Sequence, residues 1–153
     1  MRKIILFVMT GVLGMALALG LAVTVGSPAA EAANRMAIHE IYYNSPGSDT
    51  GSNWSLNHEW VQLHNRSGSR ITLTGWTLRD AQGHVYKFGA YTIKAYGYVK
   101  IHTGKGTNTQ TDRYWGHSGY VWNNTGDTAT LKNRTATVID RCSYSGGGSY
   151  KIC

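Results

Sequence analysis

The stretch His58-Glu59-Trp60-Val61-Gln62-Leu63-His64-Asn65 decides how the chain is read. Successive side chains of a strand point to opposite faces, so Val61 and Leu63 share one face while Trp60, Gln62 and His64 share the other. Such a period of two predicts a half-buried strand. Working outward, residues 36–43 form a preceding strand, and the polar residues 44–57, rich in Ser, Gly, Asp and Asn, read as a long loop.

On the other side, residues 70–79 place Ile71 and Leu73, then Trp76 and Leu78, with a parity slip across Thr74-Gly75 that predicts a bulge or bend at Gly75. Residues 84–88 and 96–103 follow as strands, the second with Val99 and Ile101 on one face and Tyr98, Lys100 and His102 on the other. Residues 128–133 pair Ala129 with Leu131, and residues 135–141 close the series. About seven short strands without an intervening helix predict an all-β, two-sheet sandwich. One domain is expected over residues 33–153, with no internal repeat.

Ahead of that domain, Met1, Arg2 and Lys3 precede an uncharged run from Ile4 to Val25 and a small-residue stretch ending at Ala33. This is the order of a signal peptide, with Ala30-Glu31-Ala32 as its small-x-small site, so residues 1–32 are read as cleaved and the protein as secreted. A run of about 22 apolar residues would also span a bilayer core. Against a retained anchor, Gly11 and Gly14 interrupt the run and no basic cluster follows it.

Cleavage removes Arg2, Lys3 and Glu31, so the formal charge of +7 becomes about +6. A basic exported domain favours acidic partners: nucleic acid, anionic envelope polymers or anionic lipid. The two cysteines, Cys142 and Cys153, lie at the C-terminal end, and in an oxidising compartment an even count reads as one disulfide. Closing a loop of about 12 residues would contribute about 3 kcal/mol.

Three further series stand out: Ile38-His39-Glu40-Ile41-Tyr42-Tyr43-Asn44, Leu73-Thr74-Gly75-Trp76-Thr77-Leu78-Arg79-Asp80, and Trp122-Asn123-Asn124-Thr125-Gly126-Asp127. Together with Glu59-Trp60-Val61-Gln62-Leu63-His64-Asn65 and Val138-Ile139-Asp140, they resemble the lamin-tail domain, whose bacterial members are often exported. The resemblance implies an immunoglobulin-like sandwich and a non-enzymatic protein-interaction module, in bacteria attached to exported nucleases, phosphatases and surface proteins. It carries no catalytic residues. Gln62 departs from the acidic residue expected there, and His39 from a small polar one.

Chemistry-bearing patterns fail one after another. Gly116-His117-Ser118-Gly119 lacks the spacing of a nucleophile elbow, and Gly104-Lys105-Gly106-Thr107 lacks the upstream glycine and the magnesium-binding hydroxyl of a phosphate loop. His58, Glu59 and His64 do not have the helical spacing of a zinc site. Calcium needs no fixed spacing and stays open for the loops bearing Asp49 and Asp112, though neither has the EF-hand series. Glu40 has the parity of Ile38, which predicts a partly inward, hydrogen-bonded carboxylate.

No enzyme activity and no cofactor are therefore expected. The positive signal is Lys100, Lys105, Arg113, Lys132, Arg134 and Arg141 mixed with Tyr98, Tyr114, Trp115 and Tyr120, which could grip a polyanion by phosphate contacts and stacking. Trp76, Trp115 and Trp122 read as packing residues. The partner expected first is a protein or an anionic envelope polymer, and the alternative is extracellular DNA.

Overall fold

The structure, a computed structural model, describes residues 35–153; the expected signal peptide, residues 1–32, lies outside the described residues. The alternation at Val61 and Leu63 appears as β2 (Trp60–Asn65), central in a five-stranded sheet with β1 (Met36–Tyr42), β7 (Tyr98–His102), β8 (Asp112–Tyr114) and β11 (Tyr150–Ile152). The strand order is β11-β1-β2-β7-β8, antiparallel except for the parallel pair β7 and β8. A second sheet holds β10 (Val138–Tyr144), β9 (Asp127–Lys132), β4 (Thr77–Arg79) and β5 (Val85–Lys87) in that order. Ile38, Ile41, Val61, Leu63, Val99 and Ile101 from the first sheet meet Leu78, Ala129, Leu131 and Ile139 from the second in one core. Fully burying each such aliphatic side chain is worth about 1.5–3 kcal/mol.

The predicted strand 70–79 is two strands. β3 (Ile71–Thr72) pairs with β6 (Thr92–Ile93) in a small sheet of its own, while β4 pairs with β5. Between them the chain turns at Gly75, whose φ is +81° and whose N–H donates to the Phe88 carbonyl. The parity slip in the sequence is therefore the kink of one long hairpin passing from one sheet to another. Leu73 and Trp76 both stay buried because the kink resets which face points inward.

Three other expectations are corrected. The loop 44–57 contains a short helix, α1 (Asn53–Asn57), capped by the Ser52 hydroxyl accepting from the Ser55 N–H. The last predicted strand begins at Val138, because the Asn133 side chain accepts from the Thr135 and Thr137 amides and folds those residues into a turn. Glu40 is not inward: the register shifts between Ile38 and Glu40, so Ile38 and Ile41 are both buried and Glu40 faces outward opposite Gln62. The Ile38 N–H, displaced from the ladder, donates to Asp140 Oδ2 at 2.8 Å. One extra residue at a bulge reverses every face assignment beyond it.

Asn65 is fully buried, its amide donating to the Ser69 and Lys94 carbonyls, so the sequon it heads is closed to glycan attachment in the folded chain. Cys142 of β10 and Cys153, just past β11, form a disulfide with Cα atoms 5.9 Å apart. The intervening turn needs Gly146: φ is +78°, and a Cβ there would lie 2.6 Å from the Asn124 carbonyl oxygen. Gly146→Ala should cost about 1–2 kcal/mol from the left-handed backbone alone, with the backbone overlap adding to it. A urea unfolding curve unchanged by the substitution would contradict this account.

Candidate functional site

The face of β2 turned away from the core carries Trp60, Gln62 and His64, and the neighbouring strands extend it in register. Tyr150, Tyr42, Trp60, His102 and Tyr114 are successive partners across all five strands. Tyr42 stacks on Trp60 at 5.4 Å between centroids and on Tyr150 at 6.1 Å, and His102 stacks on Tyr114 at 4.9 Å. A parallel row runs Ile152, Glu40, Gln62, Lys100, Asp112. Beside it His64 stacks on Tyr98 at 4.0 Å, with the His39 ring edge-on to both. Cross-strand pairs of this kind contribute about 0.2–1 kcal/mol each, so the row stiffens the sheet as well as covering it.

Charge on this face is sparse, carried by Glu40, Lys100 and Asp112. Lys100 Nζ lies 3.7 Å from the Trp60 ring centroid, a cation–π contact that fixes a flexible side chain over an aromatic. His102 faces two acceptors, the Asn57 carbonyl from Nδ1 at 2.8 Å and Asp112 Oδ1 from Nε2 at 2.9 Å. Burial works against the Asp112 charge, but hydrogen bonds from His102, Thr111 and Thr109 outweigh it and hold the carboxyl below its usual range. Burial lowers His64, and the neighbouring His39 and Arg66 lower it further. A shallow hollow on the face is lined by Gln62, Tyr98, Lys100, Thr111 and Asp112.

The expected polyanion-binding residues are spread over the molecule. Lys100 is on this face, and Lys105 is exposed in the loop after β7, where the Asn53 and Asn57 side-chain amides donate to its carbonyl at 3.0 and 2.9 Å. Arg113 pairs with the inward Ile101, and its guanidinium lies 4.0 Å over the Tyr91 ring, its Nε buried without a hydrogen-bond partner among the described residues. Lys132 and Arg134 belong to the other sheet and its β9–β10 turn, the Arg134 stem lying against Gly75. Tyr98 and Tyr114 are on the face; Trp115 packs near Trp122 and Tyr86; Tyr120 shares a 2.7 Å hydrogen bond with Ser55. Trp76 and Trp122 are buried core residues.

Two other patterned segments lie against aromatic rings. His58 closes α1 with its ring against Trp54, away from His64 on the sheet face. Gly106 lies on the Tyr114 ring, where a Cβ would come within 2.5 Å of ring atoms, so this glycine permits close packing. Among the described residues no group of three or more His, Cys, Asp or Glu side chains is placed to hold a metal ion. Likewise, no helix of the described residues is long and apolar enough to cross a membrane.

The buried carboxylate is Glu59, which has the parity of the inward Val61 and Leu63. Fully buried, it accepts from the Thr103 hydroxyl at 2.6 Å and the Val121 N–H at 2.8 Å through Oε1, while Oε2 has no hydrogen-bond partner among the described residues. Burial raises its pKa to about 7, partly offset by Thr103 and the Val121 and Trp122 amides. It ties the start of β2 to the end of β7 and to the segment before β9.

The order of these parts, two facing sheets with a kinked hairpin between them and the Trp122 to Asp127 turn leading into β9, agrees with one family. The family model of the Lamin Tail Domain matches residues 29–146. The chain belongs to the lamin tail domain family. No curated protein matches it. In this lamin tail domain the match ends before β11, so the strand that completes the aromatic row, and the Cys153 that anchors it, lie beyond the matched segment.

Proposed function

We propose that this chain is a secreted, non-enzymatic interaction module that binds a protein partner through the outer face of its five-stranded sheet. The observation that carries this reading is the in-register aromatic row Tyr150, Tyr42, Trp60, His102 and Tyr114, flanked by Lys100 and Tyr98. Protein interfaces are enriched in tyrosine and tryptophan and depleted of charge at their centre. The face has that composition, with Lys100 held over the Trp60 ring and Asp112 hydrogen-bonded to His102. Membership of the lamin tail domain family supports an interaction role. The disulfide supports export, since such bonds persist in oxidising compartments.

A polyanion grip is the lesser reading, because Lys100, Arg113 and the pair Lys132 and Arg134 point from different surfaces and form no single stripe. The two readings separate by capture from the producing organism's envelope fraction. Tyr98→Ala with Lys100→Ala should weaken retention of the partner by about 2 kcal/mol, roughly thirtyfold, as loss of an interface hot spot does. Lys132→Ala with Arg134→Ala should leave it unchanged. Retention on DNA or heparin that falls steeply with salt and follows Lys132 and Arg134 would overturn the protein-partner reading. Nucleic acid, glycan and ester substrates should all survive incubation with the purified protein and divalent ions.

A further inference from the structure

The β4–β5 turn and the loop after β8 each bring one histidine to the same place. His84 sits at the end of the turn, and His117 follows β8; their ring centroids are 5.0 Å apart with planes at 73°. Each ring is held by its Nδ1. That of His84 meets Asp80 Oδ2 at 2.5 Å, and that of His117 meets the Gly119 carbonyl at 2.9 Å. Asp80 is itself fixed: its side chain is fully buried, and Oδ1 accepts from the Gly83 and His84 amides at 2.7 Å each. The Gly119 N–H also lies 3.3 Å from His117 Nδ1, and the shorter contact to the carbonyl selects the tautomer in which Nδ1 donates. In that tautomer, and with His84 Nδ1 donating to Asp80, the lone pair of each histidine resides on Nε2. Among the described residues neither Nε2 has a hydrogen-bond partner.

That is the arrangement in which histidines bind metal, the second nitrogen donating to a carboxylate or carbonyl that fixes tautomer and ring orientation. Distance agrees as well. Two imidazoles bonded at about 2.0–2.1 Å to one tetrahedral ion have ring centroids about 5 Å apart. We propose that His84 and His117 form a two-imidazole site for a divalent transition-metal ion of the copper, nickel and zinc class, with Asp80 and the Gly119 carbonyl orienting the two ligands. With only two protein ligands and the His84 side chain 40% exposed, water completes the coordination sphere and the ion exchanges freely. Imidazole donors favour this class of metal, with Cu²⁺ the tightest. A bound ion would join the edge of the four-stranded sheet to the loop between β8 and β9. The inference is independent of the sheet-face reading above, which uses neither histidine.

The pair His39 and His64 supplies an internal control. Their centroids are 5.9 Å apart, His64 is stacked on Tyr98, and among the described residues neither Nδ1 is held by a protein acceptor. Titrating the full mature chain with Cu²⁺, Ni²⁺ or Zn²⁺ alone should show one equivalent bound, and the Cu²⁺ electron paramagnetic spectrum should report two nitrogen ligands. His84→Gln and His117→Gln should each weaken uptake at least tenfold, while His39→Gln and His64→Gln should not. Unfolding temperatures in chelator should match wild type for all four. Should a variant fail to fold, Zn²⁺-induced shifts of the His84 and His117 ring signals in the wild-type NMR spectrum provide the same test. No uptake at millimolar Zn²⁺, uptake undiminished by His84→Gln and His117→Gln, or ring shifts confined to other histidines would overturn the proposal.

Discussion

Raising the pH from about 4.5 to about 7 should lower the unfolding free energy of this domain by about 3 kcal/mol through Glu59 alone. The sign follows from which form the fold prefers. Glu59 is fully buried with Oε2 unpartnered, so its neutral form is favoured and its folded pKa is raised from 4.5 to about 7. Its stabilising contribution is complete below the unfolded value, declines across the interval, and is absent above the folded value. Glu59→Gln keeps an oxygen for Thr103 and Val121 but cannot ionise. Its unfolding free energy should therefore lack this slope, and at pH 8 it should be at least as stable as wild type.

Other titrating groups do not obscure that comparison. His64 is held below its ordinary pKa, so its contribution is present at high pH and lost on acidification, opposite in sign. It is shared by wild type and variant and cancels in their difference. Asp112, held low, contributes above its ordinary range and loses that contribution only in stronger acid, outside the interval. Urea unfolding of both proteins at pH 5 and pH 8 measures the difference. Equal slopes in wild type and Glu59→Gln would show that the carboxyl titrates in its ordinary range and that its burial is relieved by motion of the 103–122 segment.

Removing the disulfide should cost about 3 kcal/mol, the loop-closure value for a ring of this size. The structure adds where the loss falls. β11 is an edge strand of three exposed residues whose only ladder partner among the described residues is β1, and Cys153 is its outer anchor. Cys142→Ser with Cys153→Ser should therefore free β11 before anything else melts, taking Tyr150 from its stack on Tyr42. Hydrogen exchange should quicken first at the amides of Tyr43 and Asn44, which donate to the Ser149 carbonyl. Cys142 is itself in the core, so reduction of the wild-type bond is the cleaner comparison. Unchanged stability and unchanged exchange on reduction would mean that β11 is held by pairing alone.

Much of the architecture was readable because its signals are local. Val61 with Leu63, Val99 with Ile101 and Ala129 with Leu131 each announce a strand and its inward face within three residues, and all six are buried. Gly75 announced the kink, and the paired cysteines announced their bond. Missed strands share one property. β6, β8 and β11 are two or three residues long, too short to express a period; β8 and β11 exist because the longer β7 and β1 offer them a ladder, and β6 because the hairpin brings it against the equally short β3.

The sites were less readable, for a related reason. Glu40 and Glu59 looked alike in sequence, and a single extra residue at His39 sends one outward, while the segment carrying Thr103 and Val121 closes over the other. The aromatic row needs five strands brought into register from residues 42 to 150. His84 and His117 meet only because the β4–β5 turn and the loop after β8 come together. By itself, then, the amino-acid order determined the strands with their own alternation, the family and the disulfide, all consequences of short-range stereochemistry and composition. Which carboxylate is buried, which cations share a surface and which rings touch were decided by tertiary structure, because they depend on strand register and loop closure between residues far apart in the chain.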